Sequence, residues 1–179
     1  QLLNQKKMGE ILYIRSIVES ASKGLGSLPG DISFKFQPFI LPLEDKLREM
    51  LSKPDIDFLF KNERVQAIPV NFLRGASYNA KVVISDESQN FTFKELTTLI
   101  TRIGEFSKFI IIGDALQSDL NGKSGFRPMF NLFNNSESKK EGIFTFEFTK
   151  EDVKRSGVLK FILEKLESYG QIKPSETHT

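Results

Sequence analysis

The 179 residues are enough for one domain, and a single domain of that size buries most of its apolar surface. A composition of 39% hydrophobic and 27% charged residues excludes disordered and fibrous classes and places the chain among globular proteins. A formal net charge of +2 provides no global field to steer a polyanion, and the absence of cysteine excludes disulfides, thiolate zinc sites and cysteine nucleophiles.

Taken in chain order, residues 1–8 read as the end of a helix with Gly9 as its stop, so the chain is expected to begin inside an element. Residues 11–14 form a short apolar run ending at Arg15, read as a strand, and the polar, glycine-rich residues 19–31 read as a long loop. Apolar residues then recur at spacings of three and four from Phe39 to Leu51, which predicts a helix with Pro42 near its first turn. Residues 65–70 are strand-like, and residues 74–79 form a polar turn.

Next come a strand over 81–85, a helix over 92–103 and a strand over 109–112 that stops at Gly113. Together these predict a βαβ unit. Both strands are continuous apolar runs, as expected for strands buried on both faces of a parallel sheet. A helix over 127–133, a polar insertion at 134–141, a strand over 143–148 and a helix over 158–169 complete the pass. The fold class is α/β with a mostly parallel sheet, with one domain over 1–170 and a polar tail over 171–179. The lone histidine, His178, falls in that tail, which sets aside a catalytic histidine. No run approaches the roughly 18 apolar residues of a membrane helix and no signal-peptide pattern opens the chain. The expected location is the cytoplasm, with no membrane partner.

Two motifs carry chemistry. Asp86-Glu87-Ser88-Gln89-Asn90 follows a buried strand, at the sheet edge where open α/β folds bind ligands. An acidic pair there suits nucleotide hydrolysis, with Asp86 holding Mg²⁺ through water and Glu87 polarising the attacking water. Equally open on the motif alone is Asp86 as a cap for the helix starting near Thr92. Gly113-Asp114-Ala115-Leu116-Gln117 follows the next predicted strand. Gln117 there suits orientation of a γ-phosphate or of water, and the alternative is a loop in which Asp114 and Gln117 cap backbone groups.

These segments, with Thr101-Arg102-Ile103-Gly104, resemble the Asp-Glu-Ala-Gln-Asn, Gly-Asp-x-x-Gln-x-Asp-Leu and Thr-Arg-Ile-Gly signatures of PhoH-like ATPases. So do the Leu-Pro-Gly-Asp loop at 28–31, the turn Leu73-Arg74-Gly75 and the segment Asp152-Val153-x-Arg155, an ordered series reaching from about Ile11 to Leu166. The resemblance implies a RecA-like fold related to superfamily 1 helicases, with ATP and Mg²⁺ as ligands. It places Asp86 and Glu87 as the paired acids, with Asp86 as the metal ligand, Gln117 as the phosphate sensor, and Asp114 and Gln89 among the nucleotide contacts. Arg102 and Arg155 become candidates to stabilise transition-state charge, in cis or from a neighbouring subunit of a homo-oligomer. For Arg102 the equal alternative is a cation at a helix C-terminus. RNA is a further partner implied by the resemblance alone.

Ser88 departs from the family's Ala beside the acids, and Ala76-Ser77 from its Arg-Thr after the glycine. The sequence also holds no Gly-x-x-x-x-Gly-Lys-Ser/Thr phosphate loop. Gly122-Lys123-Ser124 has Gln117 where the earlier glycine is required. The family's loop precedes the segment matched by residue 11, so a truncated sequence is expected, inactive by itself within an active parent. A binding or scaffolding remnant without ATPase function is the competing reading.

Overall fold

The computed structural model describes residues 9–16, 32–73, 75, 77–115, 117–120 and 122–148, together with 152, 157, 158, 161, 162, 165 and 168. They divide into two compact units between Asn135 and Ser136. The loop expected at 19–31 and Arg155 lie outside the described residues, as does the tail at 171–179.

The first unit is built on a four-stranded sheet of β1 (Glu10–Arg15), β2 (Val65–Pro69), β3 (Lys81–Asp86) and β4 (Lys108–Ile111), in the order β2-β1-β3-β4. Every pairing is parallel. Parallel neighbours require crossover connections, and these supply the helices on the faces of the sheet. The α/β class and parallel sheet expected from the sequence are observed, in an arrangement consistent with a RecA-like fold.

Between β1 and β2 run α1 (Ile32–Arg48) and α2 (Lys53–Lys61). Helix α1 begins ten residues before Pro42, not at it, so Pro42 falls inside the helix, as does Pro38. A proline's missing N–H costs one backbone bond there, and the helix continues through it. Helix α2 has no counterpart in the predicted elements. Ser52 caps it by accepting from the Asp55 N–H at 3.4 Å, Pro54 occupies its first turn, and Asp55 favours the positive end of the helix dipole.

Helix α3 (Phe93–Ile100) connects β3 to β4 and completes the expected βαβ unit. Thr92 and Glu95 form a reciprocal capping box, with the Thr92 N–H donating to Glu95 at 2.8 Å and the Glu95 N–H to Thr92 Oγ1 at 3.3 Å. The helix ends at Ile100, short of the predicted 103, because Tyr78 and Ile103 make a parallel bridge that draws the chain into the turn before β4. Helix α4 (Phe126–Phe133) follows residues 112–125, whose described members hold no helix or strand; Gly122 lies there in a turn and Ser124 bridges Thr92.

The two faces of the sheet bury different sets. On one, Leu12, Ile14 and Val83 pack with Phe91, Leu96 and Leu99 of the α3 region, Met129 of α4, and Val70 and Leu73 of the β2–β3 connection. On the other, Leu47 of α1 and Ile56 of α2 pack over Val65, with Ile11 beside them. β3 is well buried, but β4 is not: it is the sheet's edge strand, and Ile110 is 46% exposed. The expectation that both strands of the βαβ unit are covered on both faces therefore holds for β3 only.

In the second unit, α5 (Ser136–Lys140) occupies part of the expected polar insertion. Residues 143–148 form no strand, contrary to the strand expected there. Phe144, Phe146 and Phe148 are exposed, and no ladder partner is present among the described residues. Residues 157, 158, 161, 162, 165 and 168 are helical, in line with the predicted terminal helix.

Candidate functional site

The carboxyl ends of β3 and β4 lie side by side, because Val82 to Ser85 pair in register with Lys108 to Ile111. The ladder continues past both strand ends. The Ile112 N–H donates to the Ser85 carbonyl and the Ser88 N–H to the Ile112 carbonyl, each at 2.8 Å. The acidic motif and the Gly113 to Gln117 motif are thereby stitched together. Asp86, Glu87, Gln89, Ile112, Gly113, Asp114 and Gln117 line one open cleft of about 290 Å³.

Asp86 ends β3, and both of its carboxylate oxygens are engaged. Oδ1 accepts from the Glu87 N–H at 3.0 Å and Oδ2 from the Tyr13 hydroxyl at 2.5 Å. Asp86 is not the helix cap that the motif alone left open; Thr92 is. Burial and the Asp86 carboxylate both push the Tyr13 hydroxyl well above its ordinary pKa, so it remains a donor.

Glu87 adopts the left-handed backbone conformation at φ 52°, uncommon for a residue with a side chain. Such outliers persist where surrounding contacts over-determine them, and they cluster at functional sites. Three contacts hold this one: the bond to Asp86, an ion pair from Arg15 at 3.5 Å to Oε1, and a 2.6 Å hydrogen bond from Gln89 Nε2 to Oε2.

Gln89 is 2% exposed and spends both ends of its amide within the protein. Besides donating to Glu87, its Oε1 accepts from the Asp114 N–H at 3.0 Å. Its own carbonyl accepts from Ser118 Oγ at 3.0 Å. In this arrangement Gln89 ties the two motifs together rather than presenting its amide to a ligand. Asn90 does the same one step on, exchanging bonds with Asp119 through Oδ1 at 2.9 Å and Nδ2 at 3.4 Å. Gly113 is required by this packing: a Cβ there would come within 2.9 Å of both Gln89 N and Gln89 Oε1.

Gln117, also lining the cleft, is exposed, and its Nε2 donates to Asp114 Oδ2 at 2.9 Å. Ser88, the departure beside the acids, is fully buried and shares a 2.8 Å bond with the equally buried Ser85 hydroxyl. The extra hydroxyl thus arrives with a partner.

Arg102 is not brought to this cleft. It follows α3, which returns the chain to the amino-terminal edge of the sheet, and its carbonyl accepts from the N–H of Tyr78 just ahead of β3. Its guanidinium donates to the Gly75 carbonyl, while Nε is buried without a partner. It sits one residue past the Thr101 C-cap of α3, where its N–H donates to the Leu99 carbonyl, and its side chain ties this turn to Gly75. Tyr13 and Arg15 were missed in the sequence because their role depends on strand register, which no local motif announces.

A family signature described as PhoH-like protein matches residues 1–167. A PhoH-like protein of Synechocystis is 32% identical over 176 residues, covering 97% of this chain and 52% of that protein. Protein PhoH of Escherichia coli K12 is 33% identical over 162 residues, 88% of this chain and 44% of its own length. A PhoH-like protein of Bacillus subtilis is 33% identical over 157 residues, 87% and 48% respectively. The chain spans about half the length of the relatives it matches. No helix among the described residues is long and apolar enough to cross a membrane. With family signature, parallel sheet and paired motifs in agreement, the chain belongs to the PhoH-like protein family.

Proposed function

We propose that this chain contributes the acid and phosphate-sensing side of an ATP-hydrolysing site. The observation that carries the reading is the convergence of Asp86, Glu87 and Gln117 on one cleft at the carboxyl edge of two adjacent parallel strands. In this assignment Glu87, fixed by contacts on both carboxylate oxygens, orients and polarises the attacking water. Gln117 offers an amide that positions a γ-phosphate oxygen or that water without titrating. Asp114 steers Gln117 through their hydrogen bond.

Asp86 fits the metal role in one specific way. Among the described residues no group of three or more potential ligands is close enough to build a protein cage. Mg²⁺ in nucleotide sites usually takes one or two carboxylates, with phosphates and waters completing its shell, and Asp86 suffices for that share. When bound, Mg²⁺ would neutralise charge building on the phosphates.

Arg102, at the far edge of the sheet, could reach a nucleotide only from a neighbouring subunit, so its proposed role belongs to a homo-oligomer. Arg155 shares that proposal from outside the described residues. Coupling to RNA and a relation to superfamily 1 helicases are parts of the same reading, inherited from the resemblance. A cytoplasmic location belongs with them.

The test is Glu87→Gln in the full gene product, assayed for nucleotide binding and phosphate release with and without RNA. Turnover is expected to fall by roughly 100-fold or more, with binding within a few fold, since loss of a water-orienting carboxylate acts on the transition state. Unchanged turnover removes Glu87 from the mechanism. An inactive wild type favours the scaffolding alternative.

A further inference from the structure

We propose that β1, which carries none of the recognised motifs, supplies a positioning pair for the two acids: Tyr13 fixes Asp86, and Arg15 fixes Glu87. The inference rests on the ATPase reading above and adds two residues to it. Neither side chain lines the cleft, so each acts through the acid it touches.

The register makes the pair possible. Arg15 lies directly opposite Asp86 and Tyr13 opposite Ile84, so the two β1 side chains, two residues apart, project from one face toward the end of β3. Tyr13 is 4% exposed and its hydroxyl reaches Asp86 Oδ2 at 2.5 Å, within the short range of a charge-assisted bond. With Oδ1 held by the Glu87 N–H, the Asp86 carboxylate plane is fixed from both ends. Each oxygen retains a second lone pair for a metal-bound water.

Arg15 works differently. Its 3.5 Å pair with Glu87 joins side chains that are 20% and 41% exposed, so solvent screening leaves it little to contribute to stability. Its consequence is geometric: Glu87 Oε1 faces Arg15 while Oε2 is held by Gln89, and a carboxylate held on both sides has one orientation to offer a water. Partners that orient a metal ligand or a catalytic carboxylate typically matter about 10-fold to 100-fold when removed.

The experiment uses the full gene product with Tyr13→Phe, Arg15→Met and Arg15→Lys. Manganese binding in the presence of ADP, followed by electron paramagnetic resonance, should weaken by about tenfold in Tyr13→Phe. The magnesium concentration that half-saturates turnover should rise in parallel. Arg15→Met should lower kcat by about tenfold with KM within twofold, and Arg15→Lys should recover part of it. Unchanged manganese affinity and magnesium dependence in Tyr13→Phe, or a kcat in Arg15→Met equal to wild type, would overturn the proposal. If Tyr13→Phe lowers the yield of folded protein, denaturant midpoints of Tyr13→Phe, Asp86→Asn and the double variant decide. Non-additive losses support the bond, and additive losses overturn it. A wild type without turnover overturns the ATPase reading instead, while the manganese measurement still reports on Tyr13 and Asp86.

Discussion

Gln89 donates to Glu87 at 2.6 Å and, with the other end of the same amide, accepts from the Asp114 N–H at 3.0 Å. One buried side chain thereby sets the spacing between the acid and sensor segments. Gln89→Glu keeps its size but turns the donor toward Glu87 into an acceptor that carries charge. The loss of that bond beside a like charge should cost about 1–3 kcal/mol, read as a lower midpoint in chemical denaturation. Turnover of the full gene product should fall with it. A stability equal to wild type would show that the tie is dispensable.

Two glycines give opposite expectations for the same substitution. A Cβ at Gly113 meets the Gln89 backbone nitrogen at 2.9 Å, and a backbone atom cannot step aside as a flexible side chain would. Gly113→Ala should therefore cost about 1–3 kcal/mol, as overpacked sites do, and should displace Asp114. At Gly122, φ is +82° and nothing lies within 4 Å of the added carbon, so the cost of Gly122→Ala is backbone strain alone, about 1–2 kcal/mol. Their thermal midpoints should fall by similar amounts, but only Gly113→Ala should also impair turnover. Equal activity in the two would undo this distinction.

The buried hydroxyls of Ser85 and Ser88 predict a non-additive cycle. Ser88 Oγ has a second partner in the Ser85 carbonyl at 3.1 Å, whereas among the described residues the Ser85 hydroxyl bonds to Ser88 alone. Ser88→Ala leaves a buried hydroxyl unsatisfied and should cost about 1–3 kcal/mol. Ser85→Ala should cost less, and the double variant less than the sum of the two. Additive losses in denaturant titrations would mean the hydroxyls do not depend on each other.

Tyr13 should show itself in alkaline solution. Its hydroxyl is pushed above the ordinary tyrosine value, first by burial and then by the hydrogen bond and charge of Asp86. A tyrosine ionises by losing its proton, so a raised folded value means the native state holds that proton where the unfolded chain has released it. The resulting stability is fully present below about pH 10 and is lost as pH rises beyond that through the folded value. Wild type minus Tyr13→Phe should show a tyrosinate absorbance appearing only above that range. Ionisation near pH 10 in the folded protein would contradict the observed burial and bond.

Much of this framework was legible in the sequence, and the failures have separate causes. The apolar runs of β1 and β3 are legible from local chemistry, and both motifs arrive at one cleft because each ends a strand, whereas the cap of α3 is Thr92 with Glu95 and not the Asp86 that the motif offered. Helix α2 also carries a local start signal in Ser52, Pro54 and Asp55, but at nine residues it is too short for apolar periodicity to announce it. Ile110 looked buried because a run of apolar residues does not report whether its strand lies in the middle of a sheet or at its edge. Phe144, Phe146 and Phe148 alternate as a strand would, yet alternation describes a strand only if a partner pairs with it. The contacts of Tyr13 and Arg15 depend on register between β1 and β3, a long-range relation absent from any window of sequence.

The last prediction concerns the 179-residue chain by itself, which should neither bind ATP tightly nor hydrolyse it. Among the described residues the cleft is lined by three carboxylates, Asp86, Glu87 and Asp114, and by no lysine or arginine. Arg15 stands behind Glu87 and is paired with it. ATP carries about four negative charges, and loop-type ATPases hold them with consecutive backbone amides and a lysine as well as Mg²⁺. The sequence contains no phosphate loop of that pattern, and Gly122-Lys123-Ser124 does not line the cleft. Mg²⁺ can offset part of the repulsion, but a single carboxylate is a weak site for it. The balance of charge therefore opposes the nucleotide. Calorimetric titration with Mg²⁺ and ATP should give a dissociation constant weaker than about 1 mM, equivalent to less than about 4 kcal/mol of binding, and phosphate release should stay at background. Micromolar binding or turnover by the isolated chain would mean that residues outside this cleft hold the phosphates, and the assignment of Asp86, Glu87 and Gln117 to one half of a site would have to be abandoned.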